Sequence, residues 1–328
     1  MTTMSASEKS GADDDSRRSA PAERRATESI DPAAADLDLR PTADVLAILL
    51  ASQRRALDAV DGARDALEHA VAAAASRLRA GEGRLVFAGA GASGRLAVQD
   101  GAELWPTFGW PAARLALVMA GGETALLASV EGVEDDAAAA RAEVDALDIG
   151  ADDVVVALAA SGGSPWTCAW LEAARGRGAL GIGLANNAGT PLLAAADFPV
   201  LLDSGAEALA GSTRMAAGTA QKIALNLFST TLMVRLNRTY GNLMVDMAAA
   251  NAKLDARRLR LLRGVLPTVD DATARDALEA AGGWVKLAAL IARGDDAPTG
   301  RRRLDANDGS LRAALAALER ERTPGGST

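Results

Sequence analysis

Short apolar runs alternate with longer amphipathic segments through the middle of the chain. Each run is apolar on both faces and is followed by a segment long enough for a helix, which is typical of a parallel sheet buried between two helical layers. The runs predict strands at residues 84–88, 114–119, 153–158, 179–183 and 198–202. We therefore expect an α/β fold, a three-layer α/β/α sandwich with a five-stranded parallel sheet.

Helical periodicity predicts elements on both sides of this region. An amphipathic helix is expected from Thr42 and a second over about 63–80, whereas a long helix over 213–237 and another over about 248–262 are expected downstream. Residues 1–26 are mostly Ser, Ala, Asp and Arg without apolar periodicity, so they are predicted to be a disordered tail. The remaining chain divides into an α/β domain with N-terminal helices over 27–262 and a small C-terminal helical subdomain over 263–328.

A glycine-rich stretch follows the first predicted strand and leads into a helix, with the sequence Gly89-Ala90-Gly91-Ala92-Ser93-Gly94. It matches the dinucleotide pattern G-x-G-x-x-G, but the acid that this pattern requires after the next strand is absent before Glu123. The free amides of a helix start, with the Ser93 hydroxyl and the tight turn that glycines such as Gly94 allow, suit a phosphate instead. A purely structural glycine turn is the alternative for this motif.

Two more loops carry hydroxyl groups. Ser161 and Ser164 lie in a Ser/Gly loop after the third strand. Ser212 and Thr213 lie where the long helix is expected to begin. Helix capping is the structural alternative, by Ser164 before Pro165 and by Ser212 or Thr213. Because ligands of parallel sheets bind beyond the carboxyl ends of the strands, we expect the serine-bearing loops to converge on one phosphate.

Two glutamates are candidates for acid–base chemistry. Glu103 lies ten residues past Ser93 and beside Leu104 and Trp105, so apolar burial is expected to favour its protonated form. Glu134 lies among four acids in the segment 131–136, where mutual repulsion is expected to favour protonation of at least one of them. One predicted strand separates the two glutamates, so both are expected at the same edge of the sheet. A solvated acidic helix start is the alternative for Glu134.

Composition limits the classes of function. A net charge of −8 does not suit nucleic-acid binding, and the single cysteine, Cys168, excludes an intrachain disulfide and indicates a reducing compartment. The single histidine, His69, leaves no His/Cys cluster for zinc. The sequence shows no apolar run long enough to span a membrane and no secretory signal, so we expect a cytoplasmic protein that binds neither nucleic acid nor membrane.

From Thr27-Glu28 to near Leu318, the chain resembles the N-acetylmuramic acid 6-phosphate etherases of the SIS (sugar isomerase) superfamily. The most specific stretches are 89–96, 100–109, 130–136, 205–207, 211–215, 218–222 and 240–246. The resemblance implies a homodimer without metal or redox cofactor that converts N-acetylmuramic acid 6-phosphate to N-acetylglucosamine 6-phosphate and D-lactate. It also implies that Glu103 is the general acid, that Glu134 abstracts a proton and that Glu207 belongs to the binding site.

The chain departs from the family near the expected phosphate. Gly163-Ser164 stands where the family usually has Arg-Thr, and Ala216 stands where it has lysine. Two other functions stay open on sequence grounds. One is an aldose–ketose sugar-phosphate isomerase, which needs no acid beside C3 of the sugar, and the other is a sugar-phosphate sensor without catalysis. The presence of both Glu103 and Glu134 favours the etherase.

Overall fold

The computed structural model describes residues 25–247 and 252–322. Its centre is a parallel sheet of five strands, β1 (Leu85–Gly89), β2 (Leu115–Met119), β3 (Val154–Leu158), β4 (Leu180–Ala185) and β5 (Phe198–Leu201). The strands lie in the order β2-β1-β3-β4-β5. The predicted strands and fold class are confirmed, and this order puts the loops after β1 and β3 side by side.

Helices connect and cover the strands. The sheet is preceded, as predicted, by α1 (Thr42–Gly62) and α2 (Arg64–Ala80). Between the strands lie α3 (Gly91–Ala102), α4 (Leu104–Phe108), α5 (Thr124–Leu127), α6 (Ala137–Ala146), α7 (Pro165–Gly176) and α8 (Pro191–Ala195). After the sheet come α9 (Ala216–Arg235), α10 (Ala252–Val265), α11 (Asp271–Ala280), α12 (Val285–Ala292), α13 (Ala297–Asp305) and α14 (Leu311–Arg322). Within the described ranges, no helix is both long and apolar enough to span a membrane.

Alternate side chains of the strands enter two separate hydrophobic clusters, one on each face of the sheet. Phe87 of β1 packs in one cluster with Leu78 of α2 and Phe228 of α9. Its neighbour Val86 packs in the other cluster with Trp170 of α7. Successive side chains of a strand point to opposite faces, so a strand that is apolar throughout needs a helical layer on each side.

The C-terminal helices have a core of their own. Leu262 and Val265 of α10 belong to the same cluster as Leu287 of α12 and Leu311 of α14. The boundary predicted between 262 and 263 therefore falls inside α10, and packing assigns that helix to the C-terminal unit. Helical periodicity shows that a segment is amphipathic, but it does not show which core its apolar face enters. The predicted start of this helix, at 248–251, lies outside the described residues.

The segment before α1 consists of short 3-10 turns at Ala26–Glu28, Pro32–Ala34 and Leu37–Leu39. Thr27 in the first of these turns is fully buried. Residues 1–24 of the predicted tail lie outside the described residues, whereas Arg25 and Ala26 belong to this segment. Arg25 and Ala26, predicted as part of the tail, are therefore part of the segment that packs before α1.

A buried ion pair lies beside the core of the C-terminal helices. Lys286 on α12 and Asp246, in the segment after α9, are both buried and hydrogen-bonded to each other. The Lys286 ammonium also donates to the carbonyl oxygens of Asn237 and Gly309, at 2.8 Å each, and Asp246 accepts from the Trp284 indole at 2.8 Å. Burial lowers the pKa of Lys286, and Asp246 opposes that shift. Both charges are thus compensated where they are buried.

Candidate active site

The loop after β1 brings α3 against the end of its own strand. A Cβ atom on Gly94 would lie 2.7 Å from the carbonyl oxygen of Gly89, so the helix can start this close only with glycine at position 94. Ser93, in the same first turn, is buried. Packing by itself thus explains Gly94, whereas the Ser93 hydroxyl and the amides of the first turn are the groups suited to an anion.

The loop after β3 carries Ser161 and Ser164. The backbone N–H of Gly163 donates to the Ser161 hydroxyl at 3.2 Å. Ser164 stands at the N-cap of α7 with Pro165 in the first turn, but its side chain makes no capping hydrogen bond. The Ser164 hydroxyl donates instead to the carbonyl oxygen of Glu134 at 3.2 Å. The capping alternative is therefore wrong for this side chain, which contacts the segment that carries a candidate catalytic residue.

Glu134 lies between the two loops. It belongs to the 3-10 turn Val133–Asp135 and its side chain is exposed. A carboxylate oxygen of Glu134 lies 3.9 Å from the position of a Cβ atom on Gly91, the first residue of α3. One candidate carboxylate is therefore beside both candidate phosphate-binding loops, at the carboxyl ends of β1 and β3.

Glu103 does not reach this edge of the sheet within one chain. It directly follows α3, so the twelve residues from Gly91, at about 1.5 Å each, place it about 18 Å away. Its side chain is exposed, next to Trp105, which is 53% exposed. The expectation that Glu103 and Glu134 share one edge is wrong for a single chain, and so is the expected apolar burial of Glu103. The physical reason is that α3 runs away from the strand ends.

Glu207, rather than Ser212 or Thr213, caps the long helix. Its two carboxylate oxygens accept hydrogen bonds from the backbone N–H groups of Ala216 and Ala217, at 2.9 Å each. Glu207 is fully buried, so the structure gives it a capping role at the start of α9, and its place in the binding site stays a prediction. The helix accordingly begins at Ala216 rather than at Thr213. Ser212 and Thr213 lie on the segment that this cap holds, and their side chains are partly exposed.

Sequence reasoning missed a buried amide that joins the loops. Asn187, after β4, donates to the Thr27 hydroxyl at 3.1 Å and to the Ala160 carbonyl oxygen at 2.9 Å. The Thr27 carbonyl oxygen accepts from the Gly211 N–H at 3.3 Å. The N-terminal segment is therefore tied both to the loop after β3 and to the segment before α9. The available signal was the polar pair Asn186-Asn187 directly after an apolar strand.

A second missed contact lies between α3 and α9. Asp100 is buried and accepts a hydrogen bond from the Lys222 ammonium at 3.1 Å and another from the Asn226 amide. This contact fixes α9 against the helix that runs from Ser93 to Glu103. A charged residue among small and apolar neighbours was the signal in the sequence.

The thiol of Cys168, in the first turns of α7, is not suited to nucleophilic chemistry. Burial, with a contribution from Glu172, raises the pKa of Cys168 to about 11, and Arg25 opposes the shift. At neutral pH the group is therefore a protonated thiol, which is a poor nucleophile.

Comparison with known proteins assigns the family. Residues 63–175 match the family model described as Glucokinase regulatory protein N-terminal SIS domain. The chain is 49% identical over 292 residues to the N-acetylmuramic acid 6-phosphate etherase of Deinococcus radiodurans, and the alignment covers 89% of this chain and 95% of that protein. The chain belongs to the N-acetylmuramic acid 6-phosphate etherase family. The etherase of Streptomyces avermitilis is 44% identical over 90% of this chain and 94% of its own length.

A solved structure of phosphoheptose isomerase from Francisella tularensis is a more distant match. It has a TM-score of 0.44 and 20% identity over 61% of this chain and 100% of that chain.

For a member of the etherase family, this edge of the sheet offers a defined set of groups. The hydroxyls of Ser93, Ser161 and Ser164 and the first-turn amides of α3 and α7 suit an anion. The Glu134 carboxylate beside them suits proton transfer. Glu103, the other carboxyl group predicted for the site, lies at the far end of α3 from these groups.

Proposed function

We propose that this chain cleaves the D-lactyl ether of N-acetylmuramic acid 6-phosphate, giving N-acetylglucosamine 6-phosphate and D-lactate for recycling of cell-wall amino sugars. The observation that carries the proposal is the position of Glu134. Its carboxylate lies beside the first turn of α3, and its backbone contacts Ser164. A base next to two anion-binding loops suits proton abstraction from a sugar phosphate. The etherase relatives support the choice of substrate.

The phosphate binds between the loops after β1 and β3. Ser93, Ser161 and Ser164 supply hydroxyl groups, and the first turns of α3 and α7 supply backbone N–H groups. Helix N-termini carry a partial positive charge, so both helices favour a bound anion. Ser212 and Thr213 extend the site from the segment before α9.

The reaction is an elimination followed by addition of water. In the open-chain sugar, the C2 proton is acidic because C2 is bonded to the C1 aldehyde. Glu134 removes this proton, and the lactate oxygen leaves C3 with a proton supplied by a second acid. Water then adds to C3 of the unsaturated aldehyde, and a proton returns to C2. One water is consumed overall, and no cofactor takes part.

Glu103 is the second acid, and a second copy of the chain supplies it. Within one chain the two glutamates lie near opposite ends of α3, about 18 Å apart by the length of the helix. Covering the exposed ring of Trp105 in a homodimer would bury Glu103 as well, which favours a protonated acid. Leu57 and Leu227, about half exposed, line a groove of about 980 Å³ between the N-terminal helices and α9, and they offer further apolar surface to the second copy. The reducing compartment indicated by the single cysteine supports a cytoplasmic location.

Mixing two inactive variants tests this arrangement. Glu103→Gln and Glu134→Gln are each expected to abolish D-lactate release, while N-acetylglucosamine 6-phosphate still binds. Glu103→Gln should retain exchange of the C2 proton with deuterated solvent, and Glu134→Gln should lose it, because only the latter removes the base.

Dimers formed by unfolding and refolding the two variants together contain sites with both native glutamates. A statistical mixture should recover about a quarter of the wild-type activity if each site takes one glutamate from each copy of a symmetric dimer. Recovery of no activity would place both glutamates of a site in the same chain. Wild-type protein that releases no D-lactate would refute the proposed function itself.

A further inference from the structure

The guanidinium of Arg25 lies against the loop after β3. A Cβ atom on Gly163 would be 2.7 Å from Nη2 and 3.5 Å from Cζ of Arg25. The space that a side chain at position 163 would enter is therefore occupied by a cation from the N-terminal segment. The same charge opposes the raised pKa of Cys168 in α7, which places the guanidinium near the start of that helix.

The backbone of Arg25 is held in place from both sides. Its carbonyl oxygen accepts from the Glu28 N–H at 2.9 Å, which closes the turn that follows it. Two residues later, Thr27 is fully buried and hydrogen-bonded to Asn187, which also donates to the Ala160 carbonyl oxygen in the loop after β3. The segment is thus anchored to the loop that its side chain covers.

The Arg25 guanidinium is exposed, and no described residue forms a hydrogen bond or ion pair with it. Two other cations near the strand ends and α3 are already engaged. Arg95 donates to carbonyl oxygens of the segment 125–128 at 3.0 to 3.2 Å, and Lys222 is paired with Asp100 at 3.1 Å. Arg25 is therefore a cation at the proposed phosphate site with donors available for a ligand.

We propose that Arg25 binds the phosphate of the substrate from the N-terminal segment, in the place that a side chain at position 163 would otherwise take. This inference rests on the proposed function for the identity of the substrate. A guanidinium offers several donors in a planar fork that matches phosphate oxygens, so it supplies charge and direction that serine hydroxyls lack.

The loop after β3 can accept an arginine side chain at position 163 in place of the one at position 25. Gly163 lies outside the left-handed region, so it can accept a side chain once Arg25 is shortened. Gly162 cannot serve instead, because its φ is +64° and a Cβ there would lie 2.3 Å from the Thr190 hydroxyl. Arginine at position 163 therefore tests whether a cation is needed at this point in space, whichever part of the chain provides it.

The experiment measures KM and kcat for N-acetylmuramic acid 6-phosphate by D-lactate release, and the affinity for N-acetylglucosamine 6-phosphate by calorimetry. Arg25→Ala should raise KM and weaken product binding about 10- to 100-fold, as expected for loss of a hydrogen bond to a charged group, with a smaller change in kcat. Arg25→Lys should recover part of the affinity. Arg25→Ala combined with Gly163→Arg should recover most of it, whereas Arg25→Ala with Gly163→Ala should not.

Two controls separate this role from general effects of charge. Arg40→Ala removes another exposed arginine of the N-terminal segment, one paired with Asp36 at 2.9 Å, and should leave KM unchanged. Arg214→Ala removes an exposed arginine next to Thr213 and should have less effect than Arg25→Ala. Thermal unfolding of each variant shows that it is folded.

The inference is overturned if Arg25→Ala leaves both KM and sugar-phosphate affinity unchanged, or if arginine at 163 rescues no better than alanine. It is also overturned if Arg214→Ala, and not Arg25→Ala, weakens binding. If the wild type binds N-acetylglucosamine 6-phosphate but releases no D-lactate, the proposed function fails, and the calorimetric comparison still decides the role of Arg25.

Discussion

Replacing Glu207 with glutamine tests its role as the cap of α9. Each oxygen of the buried carboxylate accepts one backbone N–H at the start of α9, at 2.9 Å. Glutamine keeps one acceptor but turns an NH₂ group toward the other N–H. The loss of a charge-assisted hydrogen bond costs about 1.5–3 kcal/mol, and the loss of a negative charge at a helix N-terminus costs about 0.3–1 kcal/mol more. We therefore expect Glu207→Gln to lower the free energy of unfolding by about 3 kcal/mol.

Thermal unfolding by calorimetry or circular dichroism measures this effect. At about 2.1 cal/mol/K per residue, a chain of this length has an unfolding entropy of about 0.7 kcal/mol/K, so 3 kcal/mol corresponds to a decrease in Tm of about 4 °C. The matched control is Thr213→Ala, which removes the residue that sequence patterns select as the cap. It should lower Tm by less than about 1 °C, since surface substitutions away from a cap usually change stability by less than about 0.5 kcal/mol. A larger decrease for Thr213→Ala than for Glu207→Gln would refute the reasoning.

Three further predictions concern the loop after β3 and its surroundings. Ser161→Ala should raise KM by a factor equivalent to about 1.5–3 kcal/mol with little change in Tm, whereas Ser310→Ala, remote from the strand ends, should leave KM unchanged. Burial alone would raise the pKa of Asp153, but hydrogen bonds from Arg84 and from backbone amides outweigh this effect and lower the pKa. The stability that Asp153 contributes is therefore present above about pH 4, and it is lost as the pH falls through the lowered pKa. Asp153→Asn should thus cost more stability at pH 7 than at pH 3 in urea unfolding, and an equal cost at both would contradict the assignment. Because burial raises the pKa of Cys168 to about 11, its alkylation by iodoacetamide in the native protein should be far slower than in urea at pH 8; equal rates would show an accessible thiolate.

The sheet could be predicted because its strands are short apolar runs that differ sharply from the segments between them. The carboxyl ends of parallel strands lie at the same edge of the sheet. The sequence therefore predicts that Ser161, Ser164 and Glu134 lie near the loop that carries Ser93. The position of each loop follows from topology, so no knowledge of side-chain packing is needed.

The remaining features depend on contacts that local patterns do not encode. Capping rules consider only the residues next to a helix start. Glu207 lies nine residues before Ala216, the residue whose N–H donates to it at the start of α9. The distance between Glu103 and Glu134 depends on the direction of α3, which sequence separation does not specify. Arg25 lies at the end of a segment without periodicity, and its relation to Gly163 appears only when the chain is folded.

The buried pair of Asp246 and Lys286 also has a consequence for folding during synthesis. Asp246 leaves the ribosome well before Lys286, and Gly309, whose carbonyl oxygen completes the ammonium site, leaves later still. The sheet and α9 are synthesised before Lys286 and can collapse first, whereas the Asp246 carboxylate stays solvated until Lys286 is available. A nascent chain that stops before Lys286 would have to bury Asp246 without its counter-ion or leave the segment after α9 open to proteases. Packing of the C-terminal helices, which brings Lys286 and Gly309 to this site, is therefore needed before Asp246 is buried with its counter-ion.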